Sequence, residues 1–125
     1  MHTLIAWGPA AIWVAVLFFL SEIDGTSGLS WGFGWDKVLH FLLYSILGAT
    51  LAWGWARMRR QVPHWAVVSL GVVYGLVDEW HQSFVPGRSP SLGDALADLA
   101  GTVAGFALVA GLLWWHRESR SPRAS

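Results

Sequence analysis

Long apolar stretches alternate along the chain with short segments rich in Gly, Ser, Pro or Arg. An α-helix needs about 20 residues to cross the hydrocarbon layer of a membrane. The apolar stretch at 65–77 is shorter than this, so we expect its helix to continue into the polar residues that follow. The pattern predicts four helices, at residues 3–21, 37–57, 63–84 and 91–116.

The composition indicates an integral membrane protein. Hydrophobic residues make up 54% of the 125-residue chain and charged residues 13%, against about 25% charged residues in a typical soluble domain. No positively charged segment precedes the first helix, so we interpret it as a permanent helix rather than a signal peptide. The expected fold is all-α, a four-helix membrane bundle in a single domain, residues 1–125.

Composition also excludes some functions. The chain has no Cys, so it can form neither disulfides nor thiolate–metal bonds. Its formal net charge is zero, which argues against a nucleic-acid partner.

The positive charges are unevenly distributed between the two sides of the predicted bundle. Lys37 and Arg88 lie on one side, and six arginines lie on the other: Arg57, Arg59, Arg60, Arg117, Arg120 and Arg123. Cytoplasmic segments are enriched in Lys and Arg, so we expect both termini in the cytoplasm. Tryptophans fit this orientation, with Trp31, Trp35 and Trp80 at the outer interface and Trp7, Trp55, Trp65, Trp114 and Trp115 at the inner one.

Polar residues recur at helical spacing near the outer ends of three predicted helices. The stripes are Asp36, His40 and Tyr44 on the second helix; Tyr74, Asp78 and His81 or Gln82 on the third; and Asp94, Asp98, Gly101 and Gly105 on the fourth. Lipid cannot solvate such groups, so we expect them to face the bundle interior or the outer water. The glycines of the fourth helix permit close backbone approach to a neighbouring helix.

The three stripes have a common depth, so we predict that they form one cluster. His40, Asp78, Arg88 and Asp94 should lie within roughly 10 Å, about one helix-to-helix spacing. Asp98 lies more than one turn inside the fourth helix, where an unpaired carboxylate is costly. Its candidate partners are three basic residues: Arg88, His40 and His81.

Some of these residues also have purely structural interpretations. Asp94 follows Ser91 at the spacing of a helix capping box, and Lys37 can extend to the interface beside Asp36. We interpret Glu22 and Asp24 as solvated loop charges with no role in the site.

Two carboxylate–imidazole pairs at helical spacing, Asp78 with His81 and Asp36 with His40, would suit zinc, iron or manganese. Such spacing is common in helices, so we predict neither a bound metal nor another cofactor. Nucleophilic catalysis has even less support, because no elbow motif surrounds the nearby serines. No residue is assigned a catalytic role.

Two segments resemble the VanZ-like family of membrane proteins. DKVLHFLLYSILG, at 36–48, resembles the family's D-K-x-x-H-x-x-x-Y segment, and DEWHQSFVPGRSPSLGDALADLAG, at 78–101, resembles its second polar segment. The matching polar residues are Asp36, Lys37, His40, Tyr44, Asp78, Glu79, Gln82, Arg88 and Asp94. Asp98 departs from the family pattern, in which an amide is more usual. The resemblance implies a bacterial inner-membrane protein associated with low-level resistance to the glycopeptide teicoplanin.

The function that we infer is binding, or acting on, a lipid head group or a lipid-linked cell-envelope intermediate at the outer leaflet. Arg88 would hold the anionic part of the ligand, because its guanidinium matches phosphate or carboxylate bidentately. His40 or His81 would exchange protons. Asp78, Glu79 and Asp94 would orient these groups, and whether a reaction follows is left open.

Other functions are compatible with the same residues. The polar network could be purely structural, fixing helix packing in a scaffold or assembly subunit with a protein partner or a second copy of the chain. An ion or proton path ranks last, because the inner halves of the predicted helices carry almost no polar residues.

Overall fold

The computed structural model describes residues 2–23, 34–60 and 62–120. The chain forms four α-helices: α1 (His2–Ser21), α2 (Trp35–Trp55), α3 (His64–Gln82) and α4 (Leu92–Arg120). The described ranges contain no β-strand, and the predicted all-α, four-helix fold is confirmed. The helix bounds lie close to those predicted, except that α4 continues to Arg120 rather than ending near residue 116.

Local sequence explains where the helices begin and how α3 connects to α4. Gly34 adopts the left-handed conformation, φ 96°, immediately before α2, and Pro63 precedes α3 with φ −60°. Between α3 and α4, the Arg88 N–H donates to the Val85 carbonyl at 3.1 Å, and Gly87 has φ 74°. This is the turn that the Pro86-Gly87 pair predicts, since glycine tolerates a positive φ.

The helices alternate in direction, so the bundle has two distinct ends. At one end the Trp7 ring lies where a side chain on Gly54 would be, and Arg117 donates to the Ala56 carbonyl at 3.0 Å. At the other end the last turn of α1 meets the α3–α4 loop, and the first turn of α2 meets that of α4. We call the latter the polar end, because the predicted polar stripes lie there.

Helices α2 and α4 share the most extensive contact, and glycines lie within it. A Cβ atom on Gly101 would overlap the Phe41 carbonyl oxygen, and one on Gly105 would overlap the Ser45 carbonyl oxygen. The close backbone approach expected from the glycine stripe is therefore confirmed. It brings the polar residues of α2 and α4 within contact distance.

The core of the bundle is narrow, and much of the outer surface is apolar. Leu47, Leu51, Val67 and Phe106 are buried between the helices. Large exposed apolar side chains include Leu4, Ile12, Phe19, Leu42, Leu70, Val73, Leu96 and Leu108. Lipid chains would cover such a surface, since a water-soluble monomer rarely exposes so large an apolar area.

Within the described part of the chain, three helices are long and apolar enough to cross a membrane: α1, α2 and α4. Helix α3, which was also predicted to span, does not meet the same criterion; its last turns carry Asp78 and Glu79. The orientation of the termini stays a prediction. Part of it depends on Trp31 and Arg123, which lie outside the described residues, as does Asp24.

Candidate functional site

The centre of the polar end is a histidine–carboxylate contact between α2 and α4. His40 Nδ1 lies 2.8 Å from Asp98 Oδ1, and the Asp98 side chain is only 2% exposed. Of the three partners proposed for Asp98, the structure therefore selects His40. The Glu79 carboxylate approaches from α3, with its Oε1 atom 3.9 Å from the same His40 nitrogen.

Two carboxylate oxygens in this group are buried without a hydrogen-bond partner. Glu79 Oε2 accepts the Ser91 N–H at 3.0 Å, but Glu79 Oε1 accepts no hydrogen bond from any described residue. Asp98 Oδ2 is unpartnered in the same part of the chain. Buried polar atoms almost always have a partner, because losing water without replacement is costly. These two oxygens are therefore sites where a donor or a cation would be stabilised.

Asp78 immediately precedes Glu79 in α3 but has a different environment. Tyr44 donates its hydroxyl to Asp78 Oδ2 at 3.0 Å, and Gln82 Nε2 donates to the same oxygen at 3.4 Å. Both donors are neutral, and all three residues are buried. This carboxylate is thus stabilised by hydrogen bonds from α2 and α3 rather than by a paired cation.

Lys37 connects the beginnings of α2 and α4. Its Nζ atom lies 3.0 Å from Asp94 Oδ1 and 3.3 Å from Asp36 Oδ2. Asp94 also donates its backbone N–H to Ser91 Oγ at 3.4 Å, which is half of the predicted capping box. The structural interpretations of Asp94 and Lys37 therefore hold, and the ion pair between them adds a contact between helices.

Arg88 does not pair with the acids to which the sequence assigned it. Its Nε donates to the Ile23 carbonyl at 3.3 Å and its Nη2 to the Leu20 carbonyl at 3.4 Å. Within the described ranges it forms no salt bridge with Asp78, Glu79, Asp94 or Asp98. The turn before it brings the guanidinium to the end of α1, where carbonyls lacking an intrahelical partner attract a cation.

The polar stripe predicted on α3 divides between two neighbours. Gln82 points with Asp78 towards α2, whereas His81 contacts Glu22 and lies 5.6 Å, ring to ring, from Phe18. Tyr74 donates its hydroxyl to the Val14 carbonyl at 3.2 Å. A helix turns by about 100° per residue, so the residues three and four positions after Asp78 lie on opposite sides of it. His81 and Gln82 therefore face different neighbouring helices.

The structure adds detail to two interpretations from the sequence. Glu22 is a substantially exposed charge in the turn after α1, as interpreted, and it also contacts His81. Asp78 and His81 are not placed to share a metal ion, since His81 faces α1 and Asp78 faces α2. Neither result could be read from spacing within one helix, because each depends on which neighbouring helix lies opposite.

A different group of possible metal ligands has one residue on each of three helices, α2, α3 and α4. His40, Glu79 and Asp98 place possible metal-binding atoms within 4.8 Å of one another. All three residues belong to the polar cluster predicted from the sequence, but their separation in the chain gives no sign that they form one metal-binding group. The sequence also gives no sign that the Ser91 backbone N–H donates to Glu79, beyond the position of Ser91 before α4.

A helical bundle with an apolar surface and a buried acidic cluster at one end defines a small α-helical membrane protein. The family model described as VanZ/LLP1 matches residues 6–115, and the chain belongs to this family. It is also similar to an uncharacterised protein of Schizosaccharomyces pombe (strain 972 / ATCC 24843), with 33% identity over 82 residues, which is 66% of this chain. The match covers 49% of that protein, so the chain spans about half the length of its relative. No solved structure matches the chain.

Proposed function

We propose that the protein binds a lipid head group or a lipid-linked cell-envelope intermediate at the polar end of the bundle. The observation that carries this proposal is the placement of Arg88. Two backbone carbonyls hold its guanidinium beside the end of α1, and no described carboxylate neutralises it. Its positive charge therefore remains for an anionic group.

The chemistry of the guanidinium suits a phosphate or a pyrophosphate. Arginine has five N–H donors in a planar arrangement, of which the two carbonyl contacts use a part. The remaining donors can bind two oxygens of one phosphate at once, which a lysine ammonium cannot do in the same way. Lys37 lies at the same end of the bundle, but Asp94 and Asp36 already pair with its ammonium group, so Arg88 is the better candidate for the anionic group.

Neighbouring residues supply contacts for the rest of an amphipathic ligand. Trp80 and Phe84 are exposed at the polar end, with their rings 5.3 Å apart in an edge-to-face arrangement. Exposed aromatic rings at this level are typical of the membrane–water interface. Acyl or polyprenyl chains can therefore follow the apolar helix surface while the head group meets Arg88.

The cellular setting is part of the proposal. The Lys and Arg distribution supports a multi-pass protein with both termini in the cytoplasm and the polar end at the outer leaflet, and the resemblance to VanZ-like proteins implies the bacterial inner membrane. Lipid-linked cell-envelope intermediates are exposed at that leaflet. Binding one of them would connect this protein with teicoplanin susceptibility, the property associated with the family that the sequence resembles.

The test compares Arg88→Lys with wild type in gently extracted protein by native mass spectrometry. We expect Arg88→Lys to lose co-purified lipid or lipid-linked sugar while its melting temperature in detergent stays within experimental error. Arg57→Lys is the matched control, because the Arg57 guanidinium lies 3.1 Å from the Trp53 ring centroid and donates to the Trp53 carbonyl, at the opposite end. If Arg88→Lys keeps its lipid, or loses it only together with stability, the proposal is wrong.

The expected stability of the Arg88→Ala variant depends on what Arg88 contacts. A small loss of stability is expected for contacts with carbonyl groups, and a larger loss for an ion pair with a buried acid. Because the described partners of Arg88 are carbonyl groups alone, its removal leaves no described carboxylate without its cation. We therefore expect a loss of about 1 kcal/mol in stability, as for a typical hydrogen bond, rather than the roughly 3–5 kcal/mol of a broken buried ion pair.

A structural scaffold is the second candidate, and a specific observation favours it. His40–Asp98 and Lys37–Asp94 each join α2 to α4, and Tyr44–Asp78 joins α2 to α3. These contacts suffice to fix helix packing without any ligand. In the same mass spectrometry experiment, a stable complex with another protein and no bound lipid would favour this function.

A further inference from the structure

We infer that His40, Glu79 and Asp98 bind a divalent transition-metal ion between α2, α3 and α4. This inference goes beyond the proposed function and does not depend on a lipid ligand. Within the described residues, these three form the one group of three or more His and carboxylate side chains close enough to share an ion.

The distances fit a shared ion after small side-chain movements. Two ligand atoms about 2.1 Å from a common metal ion lie roughly 3–4 Å apart. His40 Nδ1 and Glu79 Oε1 are 3.9 Å apart, within this range. His40 Nδ1 and Asp98 Oδ1 are 2.8 Å apart, so they need to separate by only a few tenths of an ångström. All three ligand atoms lie within 4.8 Å of one another.

The unpartnered oxygens are the second, independent observation. Glu79 Oε1 and Asp98 Oδ2 are buried and accept no hydrogen bond from a described residue. The two side chains are 8% and 2% exposed, so water reaches them poorly. Glu79 Oε1 is also the oxygen that faces His40, whereas Glu79 Oε2 is held by the Ser91 N–H. A metal ion would give these oxygens the positive partner that the protein does not supply.

The charges around the group favour a dication. Four carboxylates are buried at the polar end: Asp78, Glu79, Asp94 and Asp98. Lys37 pairs with Asp94, and Arg88 is directed to carbonyl groups of residues 20 and 23. Glu79 and Asp98 therefore have only His40 as a basic partner among the described residues. A divalent ion would offset both negative charges.

The ligand types restrict which metal is suitable. An imidazole with two carboxylates suits Zn²⁺, Mn²⁺ or Fe²⁺, whereas Mg²⁺ and Ca²⁺ prefer shells made of oxygen alone. The Ser91 N–H orients the Glu79 carboxylate through its other oxygen, as hydrogen bonds to metal-binding side chains commonly do. Three protein ligands leave a coordination position for water or for an oxygen of a bound ligand.

The test uses the full chain, purified in detergent and treated with a chelator to remove bound metal. Isothermal titration calorimetry then measures the binding of Zn²⁺ and, separately, of Mn²⁺. We expect wild type to bind one ion per chain and to melt at a higher temperature in its presence. His40→Asn and Glu79→Gln should weaken binding by more than about tenfold. The Glu79→Gln variant keeps a carbonyl oxygen for the Ser91 N–H, so it should remain folded, which circular dichroism would verify.

His81→Asn is the matched control for His40→Asn. His81 also contacts a carboxylate at the polar end, that of Glu22, but both side chains are substantially exposed and no third ligand among the described residues joins them. We expect this variant to bind the ion like wild type. Three results would each overturn the inference: no binding of either ion by wild type, wild-type affinity in folded Glu79→Gln, or an equal loss of affinity in His81→Asn. Because the titration measures binding of the metal ion alone, none of these results bears on the proposed lipid site.

Discussion

Among individual residues, Asp78 shows how this protein accommodates charge inside an apolar bundle. Its carboxylate has no lysine or arginine partner among the described residues, and a tyrosine and a glutamine donate to it instead. Neutral donors stabilise a carboxylate without adding a second charge that must also lose its water. Tyr44, which is 1% exposed, forms the shorter of the two hydrogen bonds to Asp78, the other being that of Gln82.

We expect Tyr44→Phe to destabilise the bundle by about 1–3 kcal/mol, because it leaves a buried carboxylate oxygen with one long hydrogen bond. The measurement is chemical or thermal unfolding in detergent. Tyr74→Phe is the control, since it removes the same hydroxyl from a contact with the Val14 carbonyl, a neutral group in a partly buried position. Equal stability of the two variants would contradict a special role for the hydroxyl of Tyr44.

The sequence could identify the residues of this cluster but not their partners. Spacing within one helix correctly put His40 with Tyr44 and Asp94 with Asp98, because helical geometry determines which residues share a face. It could not decide which face meets which neighbour. Asp98 therefore kept three candidate partners until the structure placed His40 opposite it. Arg88 was assigned to the wrong partners for a further reason: carbonyl groups at a helix end leave no signal in a sequence.

At the scale of the helices, the contact between α2 and α4 determines whether the cluster can form. The glycines of α4 lie directly against carbonyl groups of α2, so the two backbones approach closely on the same face that carries His40 and Asp98. Small residues at such positions are typical of helix contacts in membranes. This contact was predictable, because a glycine stripe and a polar stripe coincide on one face of α4.

We expect Gly105→Ala to destabilise the protein by about 1–3 kcal/mol, as overpacking does, because the new methyl group would force α4 away from the Ser45 carbonyl. The same displacement should lengthen the His40–Asp98 contact. Gly111→Ala is the control, since no atom lies within 4 Å of a Cβ added there. The control should be neutral or stabilising by up to about 1 kcal/mol, because alanine favours helix over glycine. Unfolding in detergent measures both, and a neutral Gly105→Ala would refute the close-contact argument.

At the scale of the whole molecule, the number and order of the helices followed from the four apolar stretches, the third of them extended into polar residues, and the all-α fold was predictable for that reason. The direction of the bundle in the membrane depends on a different property, the distribution of Lys and Arg. Arg57 and Arg117 lie at the end opposite the polar cluster, where Arg117 contacts the Ala56 carbonyl. The charge asymmetry is therefore a property of the folded bundle and not only of the chain.

Reporter fusions test the orientation that this asymmetry predicts. A cytoplasmic reporter fused at Ser125 should be active, and one inserted at Gly28 should be inactive, with the reverse result for a reporter that works only outside the cytoplasm. Activity of the cytoplasmic reporter at Gly28 would show that the bundle has the opposite orientation, with the polar end at the inner leaflet. The metal-binding inference would survive that result, whereas the proposed lipid ligand would not.

Helix α3 differs from its neighbours in its apolar character, and this difference has a consequence for biogenesis. Asp78 and Glu79, in its last turns, make its entry into the bilayer less favourable, since lipid cannot solvate a carboxylate. Tyr44 on α2 precedes α3 in the chain and is available to Asp78 when α3 leaves the ribosome, whereas Ser91 follows α3 and emerges later. Insertion of α3 is therefore coupled to both neighbours. Contact with α2 stabilises α3 as it enters the bilayer, and contact with the segment before α4 stabilises it afterwards.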